Sequence, residues 1–510
     1  MEKIKNKLPR VLPWVFFAIL FLYNMIYMWR FSFHRLHTDT SAEMILGKLI
    51  ADGNGFIPTN WIYSTEVRVF SFAHINAFFF HFTNDWILVR NLSALTCVVT
   101  MFAVVFWFFK VIDKVYLYPW VAMVLSIPFS DNYYEYVWFE NIYTFFIVYM
   151  LLYILLYFLY VQKKGVIKYI CLFATCVVAF INGLSGMRFL LMVIAPLWVL
   201  VGIDTYSKKI SLKSTIIYFI PNTISLLIGL YINTKVFPEK FIIQDGFPVR
   251  IDNFSFIKLE RYINNFFSSI GFINNVSPSI TNIFSFLFFA LLLVTSIYAC
   301  TKILKHTDKH DEKTIFIARY VAVSYLILLL FNQFTSIELV PRYFFPTNIM
   351  LIIAAFLIFE FKINIKTVAK IVLTVSFAGF LFMDTVMNYE HLYFPGCGHD
   401  MMAVCEYLKT TNYEYGYGTI WNADVVVEYT NGQVDMYSLA APDTSGQLLM
   451  WLQKSEHLDK VPDGKVVIII SSEEFDSDLA RSMTQDPIYA NPSYKVYGFD
   501  SYDDIPFVKQ

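Results

Sequence analysis

Charge is scarce in this sequence. Only 15% of its 510 residues are Asp, Glu, Lys or Arg, where an ordinary soluble domain carries about 25%. The deficit argues against one large soluble globule, because the apolar residues are not dispersed at the periods of a soluble core. Cysteine is also sparse, at six residues. Cys97, Cys171, Cys176 and Cys300 lie inside apolar runs, where a small buried hydrophobe is the expected role. Cys397 and Cys405 lie outside them and can pair if they face an oxidising side. With His391 and His399 they match no zinc-ligand spacing. No repeat of 20–50 residues and no low-complexity tract is present, which argues against solenoids and propellers. The first apolar run, Val11 to Phe33, lacks a small-residue cleavage site after it, so it reads as a retained span and not a removed signal peptide.

What the sequence has in abundance is long apolar blocks. They run to about 20 residues, the length a helix needs to cross ~30 Å of hydrocarbon. About eleven such spans are expected, at 11–31, 87–109, 115–129, 142–161, 166–183, 188–204, 214–234, 281–302, 315–332, 344–361 and 367–385. Lysines fall in alternate connections: Lys3, Lys5 and Lys7; Lys110 and Lys114; Lys163, Lys164 and Lys168; Lys208, Lys209 and Lys213; Lys302, Lys305, Lys309 and Lys313; Lys362, Lys366 and Lys370. That alternation satisfies the positive-inside rule, with the N-terminus cytoplasmic. An odd number of spans then carries the C-terminal part to the other side.

The formal net charge of −1 conceals a split. Residues 388–510 hold 19 of the 40 acidic and 7 of the 39 basic residues, a net of −12, which leaves 1–387 at +11. The expected organisation is therefore a multi-span part, 1–387, and a soluble extracytoplasmic part, 388–510. The basic residues come in short clusters between apolar blocks, a pattern that does not suggest nucleic-acid binding. The first outer loop, 32–86, contains two interrupted apolar stretches, 40–52 and 67–82, which read as amphipathic helices lying in the membrane interface. A third amphipathic helix is expected at 253–268. The tail reads as small α/β: helix 399–411, strand 416–421, a stretch 423–430 ending at Asn431-Gly432, strand 433–439, helix 446–456, the strand Val466–Ile470, a capping box at Ser471 and Glu474, and strand 494–499.

Ionisable residues mark where chemistry would sit. A transporter should carry them at mid-depth, but here they concentrate at the outer ends of spans. The first outer loop has His37-Thr38-Asp39-Thr40-Ser41-Ala42-Glu43 and later Glu66-Val67-Arg68. The second has Ser130-Asp131-Asn132-Tyr133-Tyr134-Glu135 and Glu140 with no Lys or Arg among them. Such carboxylates are costly at a membrane surface unless they bind a cation, share protons or face a polar substrate. On the same side stand Arg188, opening a span, and Arg342 in Pro341-Arg342-Tyr343-Phe344-Phe345-Pro346. A guanidinium at headgroup height suits bidentate capture of phosphate. Each residue also has a plainer reading: Asp39 as a helix cap, Glu66 as a partner of Arg68, and the arginines as snorkelling side chains.

With an acidic residue after the first span, a long first outer loop, an acidic second outer loop and the Arg342-Tyr343-x-x-Pro346 element, the chain resembles the GT-C superfamily of membrane glycosyltransferases. The tail, with Gly416-Tyr417-Gly418-Thr419-Ile420-Trp421, resembles the extracytoplasmic tails of bacterial members. Where the family pattern has a second acid beside the first, this sequence has Thr40, and Glu43 is the next acid. The resemblance implies a multi-pass plasma-membrane enzyme that transfers a sugar, with inversion, from a polyprenyl-phosphate-linked donor to a cell-envelope glycan or lipid. It implies Asp39 as base, Glu66 or Asp131 on the acceptor or on an optional divalent metal (Mg or Mn), and Arg342, Tyr343 and Arg188 on the donor phosphate. The alternatives are a polymerase or ligase of lipid-linked oligosaccharides and a transporter or flippase.

Overall fold

The computed structural model describes residues 2–31, 36–126, 130–244, 249–270, 297, 300–301, 305, 311–358 and 397–507. Its principal helices are α1 (Glu2–Phe31), α2 (Thr38–Ala51), α3 (Phe72–Phe80), α4 (Trp86–Val111), α5 (Tyr118–Leu125), α6 (Ile142–Gln162) and α7 (Gly165–Leu184). They continue with α8 (Ala195–Tyr206), α9 (Leu212–Tyr231), α10 (Phe256–Ser269), α11 (Glu312–Phe334), α12 (Phe345–Ile358), α13 (Cys397–Lys409) and α14 (Ile420–Tyr429). By packing, the chain divides into two compact units. One comprises Met1–Ile26, Thr96–Ile232 and Phe247–Tyr389; the other comprises Tyr27–Leu95, Asn233–Gly246 and Glu390–Gln510.

Away from water a backbone must satisfy its own polar groups, and a helix does so within one segment. Among the described residues six helices are long and apolar enough to cross a membrane: Val11–Arg30, Trp86–Val111, Ile142–Gln162, Gly165–Leu184, Leu212–Glu239 and Glu312–Phe334. Three further expected spans are shorter apolar helices, Val115–Leu125, Leu190–Tyr206 and Pro341–Leu357. Irregular turns account for their form: 3-10 turns at Val115–Leu117 and Pro341–Phe344, and a π-helical stretch at Leu190–Ile194. The spans expected at 281–302 and 367–385 lie outside the described residues, apart from 297 and 300–301.

In the first unit the aromatic wealth of the sequence is packing. Tyr157 of α6 sits 5.2 Å from Tyr218 of α9 and 5.4 Å from Phe316 of α11, ring centre to ring centre. The Tyr153 hydroxyl donates to Asn222 Oδ1 at 3.1 Å, so a polar atom among apolar helices has its partner. Helices α7 and α9 approach closely at two glycines. A Cβ on Gly183 would stand 2.5 Å from the Leu226 carbonyl oxygen, and one on Gly229 would collide with the Phe180 carbonyl. Small residues are how membrane helices bring their backbones together. The amphipathic helix expected at 253–268 is α10, with Phe256, Ile257 and Ile263 exposed and Tyr262 buried.

The second unit is built on a five-stranded sheet formed entirely by the tail. The strands are β3 (Tyr415–Thr419), β4 (Asp435–Leu439), β5 (Val466–Ser471), β6 (Tyr489–Ala490) and β7 (Tyr494–Phe499), in the order β4-β3-β5-β7-β6. Strand β3 pairs in parallel with β4 and β5, while β7 is antiparallel to β5 and β6. The run Val466–Ile470 is buried throughout, as a strand covered on both faces must be. Asn431 and Gly432, both in the left-handed region at φ 54° and 73°, make the turn into β4. Segments from elsewhere join this unit: β1 (Ile62–Tyr63) pairs in parallel with β2 (Ile242–Ile243), and Ile62 N donates to the Gln453 carbonyl at 2.8 Å.

Two expectations for the tail are corrected. Residues 446–456 do not form a helix. Gly446 takes φ 65°, Leu448 bridges Leu439, and Lys454 bridges Trp61, so this stretch spends its backbone groups on long-range pairing. Nor do Cys397 and Cys405 pair, since Cys405 is a free, buried thiol. Both lie on α13, eight positions apart, or ~12 Å at 1.5 Å per residue, whereas a disulfide needs Cα atoms within about 7 Å. The same spacing keeps them from sharing one metal ion; His391 lies outside the described residues.

Candidate functional site

The sequence-predicted residues fall into two constellations, one in each unit. In the first unit the structure brings together Arg342, Tyr343 and Arg188. Val340 is extended, Pro341 opens a 3-10 turn, and Tyr343 N donates to the Val340 carbonyl at 3.0 Å, which sets the chain entering α12. The approach is pinned by Leu339, whose carbonyl accepts from Asn265 Nδ2 at 2.7 Å and whose N–H donates to Asn332 Oδ1 at 3.0 Å. Gly186, at φ 98°, turns the chain out of α7 so that Arg188 opens the following helical run.

Tyr136 completes the group, and sequence reasoning missed it. Arg342 Nη1 donates to the Tyr136 hydroxyl at 2.7 Å, and its guanidinium stands 4.9 Å from the Tyr136 ring centre. Arg188 stands 5.8 Å from the centre of the Tyr343 ring. Tyr143 joins the two sides, 6.0 Å from Tyr136 and 6.2 Å from Tyr343. Tyr136 belongs to a π-helical stretch, Tyr134–Phe139, closed by Glu140 N donating to the Glu135 carbonyl at 2.6 Å. Asn141, left-handed at φ 58°, ends it and donates to the Trp138 and Phe139 carbonyls. Single π-helical turns recur at functional sites. The signal that could have found Tyr136 is its place among the acids of the second outer loop. Asp131 starts the helical turn just before it, and its side chain lies outside the described residues.

Chemically, two guanidinium groups lie close enough for their charges to oppose one another, on a floor of three tyrosines. Aromatic faces and a hydroxyl ease that repulsion. A phosphate between or beside them would match the planar donor fork.

In the second unit, Asp39 lies in the first turn of α2, half-buried, with His37 as N-cap. Helix α2 was expected in the interface, yet Thr38, Thr40, Ser41, Met44, Ile45 and Leu49 are buried by protein, because α3 and α14 pack against it. Gly47 permits the contact with α3: a Cβ there would be 2.7 Å from that of Asn76. Glu43, one turn after Asp39, has a structural task. Its carboxylate accepts from Ser71 Oγ at 3.1 Å and Ala73 N at 3.0 Å at the start of α3. Arg68 reaches Glu43 at 3.5 Å and Glu66 at 3.7 Å, so the pairing weighed for Glu66 is present. His74 closes the start of α3 with Nδ1 accepting from Ser71 N, and burial holds it below its ordinary pKa against the pull of its hydrogen bonds and of Glu43.

Sequence reasoning also missed a buried ion pair beside α2. Arg90 of α4 binds Glu428 of α14 in bidentate fashion, at 2.5 and 2.6 Å, and donates to the Thr40 carbonyl at 2.8 Å. Thr38 Oγ1 donates to the Ile420 carbonyl. The available signal was a lone arginine inside an otherwise apolar run, which must find an acid.

Comparison with known proteins identifies the fold. No protein-family model matches the sequence, and no curated protein matches it. Among solved structures, the chain is similar to ArnT from Cupriavidus metallidurans in the apo state, with 11% identity and a TM-score of 0.58 over 94% of this chain and 97% of that one. It is equally similar to ArnT from Cupriavidus metallidurans bound to undecaprenyl phosphate, with 12% identity and a TM-score of 0.57 over 97% and 99%. At such identities the likeness is one of fold. The chain is a multi-pass, mostly helical membrane protein with the fold of ArnT.

Proposed function

We propose that this protein is a membrane glycosyltransferase that moves a sugar, with inversion, from a polyprenyl-phosphate-linked donor to a cell-envelope glycan or lipid. The observation that carries the reading is the pair Arg342 and Arg188 on their tyrosine floor. It stands in a fold for which a solved neighbour is bound to undecaprenyl phosphate. In this reading the two arginines and Tyr343 hold the donor phosphate, and Asp39 is the base. Asp39 takes the proton of the acceptor hydroxyl and the freed oxygen attacks the anomeric carbon. The sugar–phosphate C–O bond breaks, with its electron pair leaving on the polyprenyl phosphate. The arginines stabilise the charge gathering there. Glu66 and Asp131 are assigned to the acceptor. Arg68 stands 3.7 Å from Glu66, and a divalent metal (Mg or Mn) at Glu66 or Asp131 stays optional in this reading, with no step routed through it. The lysine pattern supports a plasma-membrane protein of about eleven spans, with a cytoplasmic N-terminus and residues 388–510 on the far side.

The test is transfer of radiolabelled sugar from polyprenyl-phosphate donors by the purified protein in liposomes. A general base contributes about 10²–10⁴-fold, so Asp39→Asn should cut turnover by about 100-fold or more while leaving undecaprenyl-phosphate binding intact. Near-normal turnover would mean the base is elsewhere. A wild-type protein that binds undecaprenyl phosphate and moves it across the bilayer without transfer would favour the flippase alternative.

A further inference from the structure

The face of α14 that packs on α2 carries a carboxyl with no part in the chemistry so far. Two links fix where it lies. Thr38 of α2 donates to Ile420 at the start of α14, and Thr40 of α2 is tied through Arg90 to Glu428. Asp39 falls between the two threonines. Asp424 falls one turn after Ile420 and one turn before Glu428, on the same helical face. It is 2% exposed, and its Oδ2 has no hydrogen-bond partner among the described residues.

The charges around Asp424 are all negative or already neutralised. Asp39 faces it from α2, Asp435 from β4 and Glu428 from its own helix. Glu428 is held by Arg90; Asp435 is held by His457 Nε2 at 3.1 Å and Lys454 Nζ at 2.9 Å. Burial first, and then the charges of Asp39, Asp435 and Glu428, push the Asp424 carboxyl well above the usual carboxylate range. No cation reaches it among the described residues.

We propose that Asp424 is a positioning residue for Asp39: a carboxyl that stays neutral, so that Asp39 is the ionised member of the pair. This rests on Asp39 being the base. Two neighbouring carboxylates in a desolvated interface do not both ionise at low cost, and the proton settles on the more buried one. The half-buried Asp39 is then left as a carboxylate, the form a base requires. Asp424 keeps its proton throughout, and the proton of the acceptor goes to Asp39. The tail thereby contributes to the reaction through α14.

Infrared difference spectroscopy on the full-length protein tests this without substrate. Wild type minus Asp424→Asn should show a carboxylic C=O stretch at pH 7 that disappears on titration to high pH. In an Asp39→Asn background that disappearance should move to lower pH, because one neighbouring negative charge is gone. Absence of the band, or a titration indifferent to Asp39→Asn, overturns the proposal. Stability gives a second reading. The folded form keeps a proton that the unfolded chain releases above about pH 4, so wild-type stability falls as pH rises from there. Asp424→Asn lacks that fall and should melt above wild type at pH 7, with the gap closing toward pH 4; a variant that melts below wild type at pH 7 counts against a neutral Asp424. If wild type transfers no sugar while the infrared shift is present, the assignment of function fails and the carboxyl pair stands.

Discussion

Replacing Glu428 by Gln is the sharpest probe of the second unit. The Arg90 and Glu428 side chains are 1% and 0% exposed, and they meet through two short hydrogen bonds. Glu428→Gln keeps the shape but leaves a guanidinium without its counter-charge, away from water. Breaking a buried pair in this way costs about 3–5 kcal/mol. At about 2–4 °C per kcal/mol for a body of this size, the melting temperature should fall by roughly 6–20 °C. Removing both charges, in Arg90→Met with Glu428→Leu, should restore most of the loss, since apolar replacements of buried pairs are often neutral or better. A residual penalty of about 1 kcal/mol is expected because the Thr40 carbonyl loses its donor. Glu338→Gln is the control: its 2.9 Å pair with Arg261 is about half exposed on both sides, and such pairs contribute ~0–1 kcal/mol. Melting would be followed by tryptophan fluorescence of the full chain in detergent. A Glu428→Gln protein that melts with the Glu338→Gln control would refute the reasoning.

Two further outcomes are expected. Arg342→Lys keeps the charge but loses the planar fork, and a hydrogen bond to a charged group contributes about 1.5–3 kcal/mol. Its affinity for undecaprenyl phosphate should therefore drop about 10- to 100-fold in a binding titration, and wild-type affinity would count against the phosphate assignment. Gly183→Leu would drive a side chain into the Leu226 carbonyl, whereas Gly202→Leu enters open space. Only the first should lose its monodisperse peak on size-exclusion chromatography, and equal behaviour of the two would contradict the close approach of α7 and α9.

Much of the fold was legible because membrane spans and strands are written in local composition. The Val466–Ile470 run, the Asn431-Gly432 turn and the capping box at Ser471 and Glu474 all appear where their sequences put them. Segment 446–456 was not legible, since its apolar pattern fits a helix and only its distant partners Leu439 and Trp61 decide otherwise. Of the candidate site, Arg342, Tyr343 and Arg188 could be read from their placement at span ends. Tyr136 could not, because the sequence offers many tyrosines and only the fold selects one. Arg90, Asp424 and Glu428 were hidden for a related reason: they are brought together over more than 300 positions, a distance at which no local rule operates.

The association of the first loop with the tail also sets a schedule for synthesis. Thr38 waits for Ile420, 382 positions later, and Trp86 waits for Asn431, 345 positions later. At about 5–20 residues per second, α2 and α3 exist for roughly 20–75 s before the chain that covers them is made. During that interval Arg90 lacks its acid and the buried side of α2 lacks its cover. A chain that stops short of α14 therefore leaves the Arg90 guanidinium without its carboxylate and one side of α2 uncovered, whatever the state of its spans.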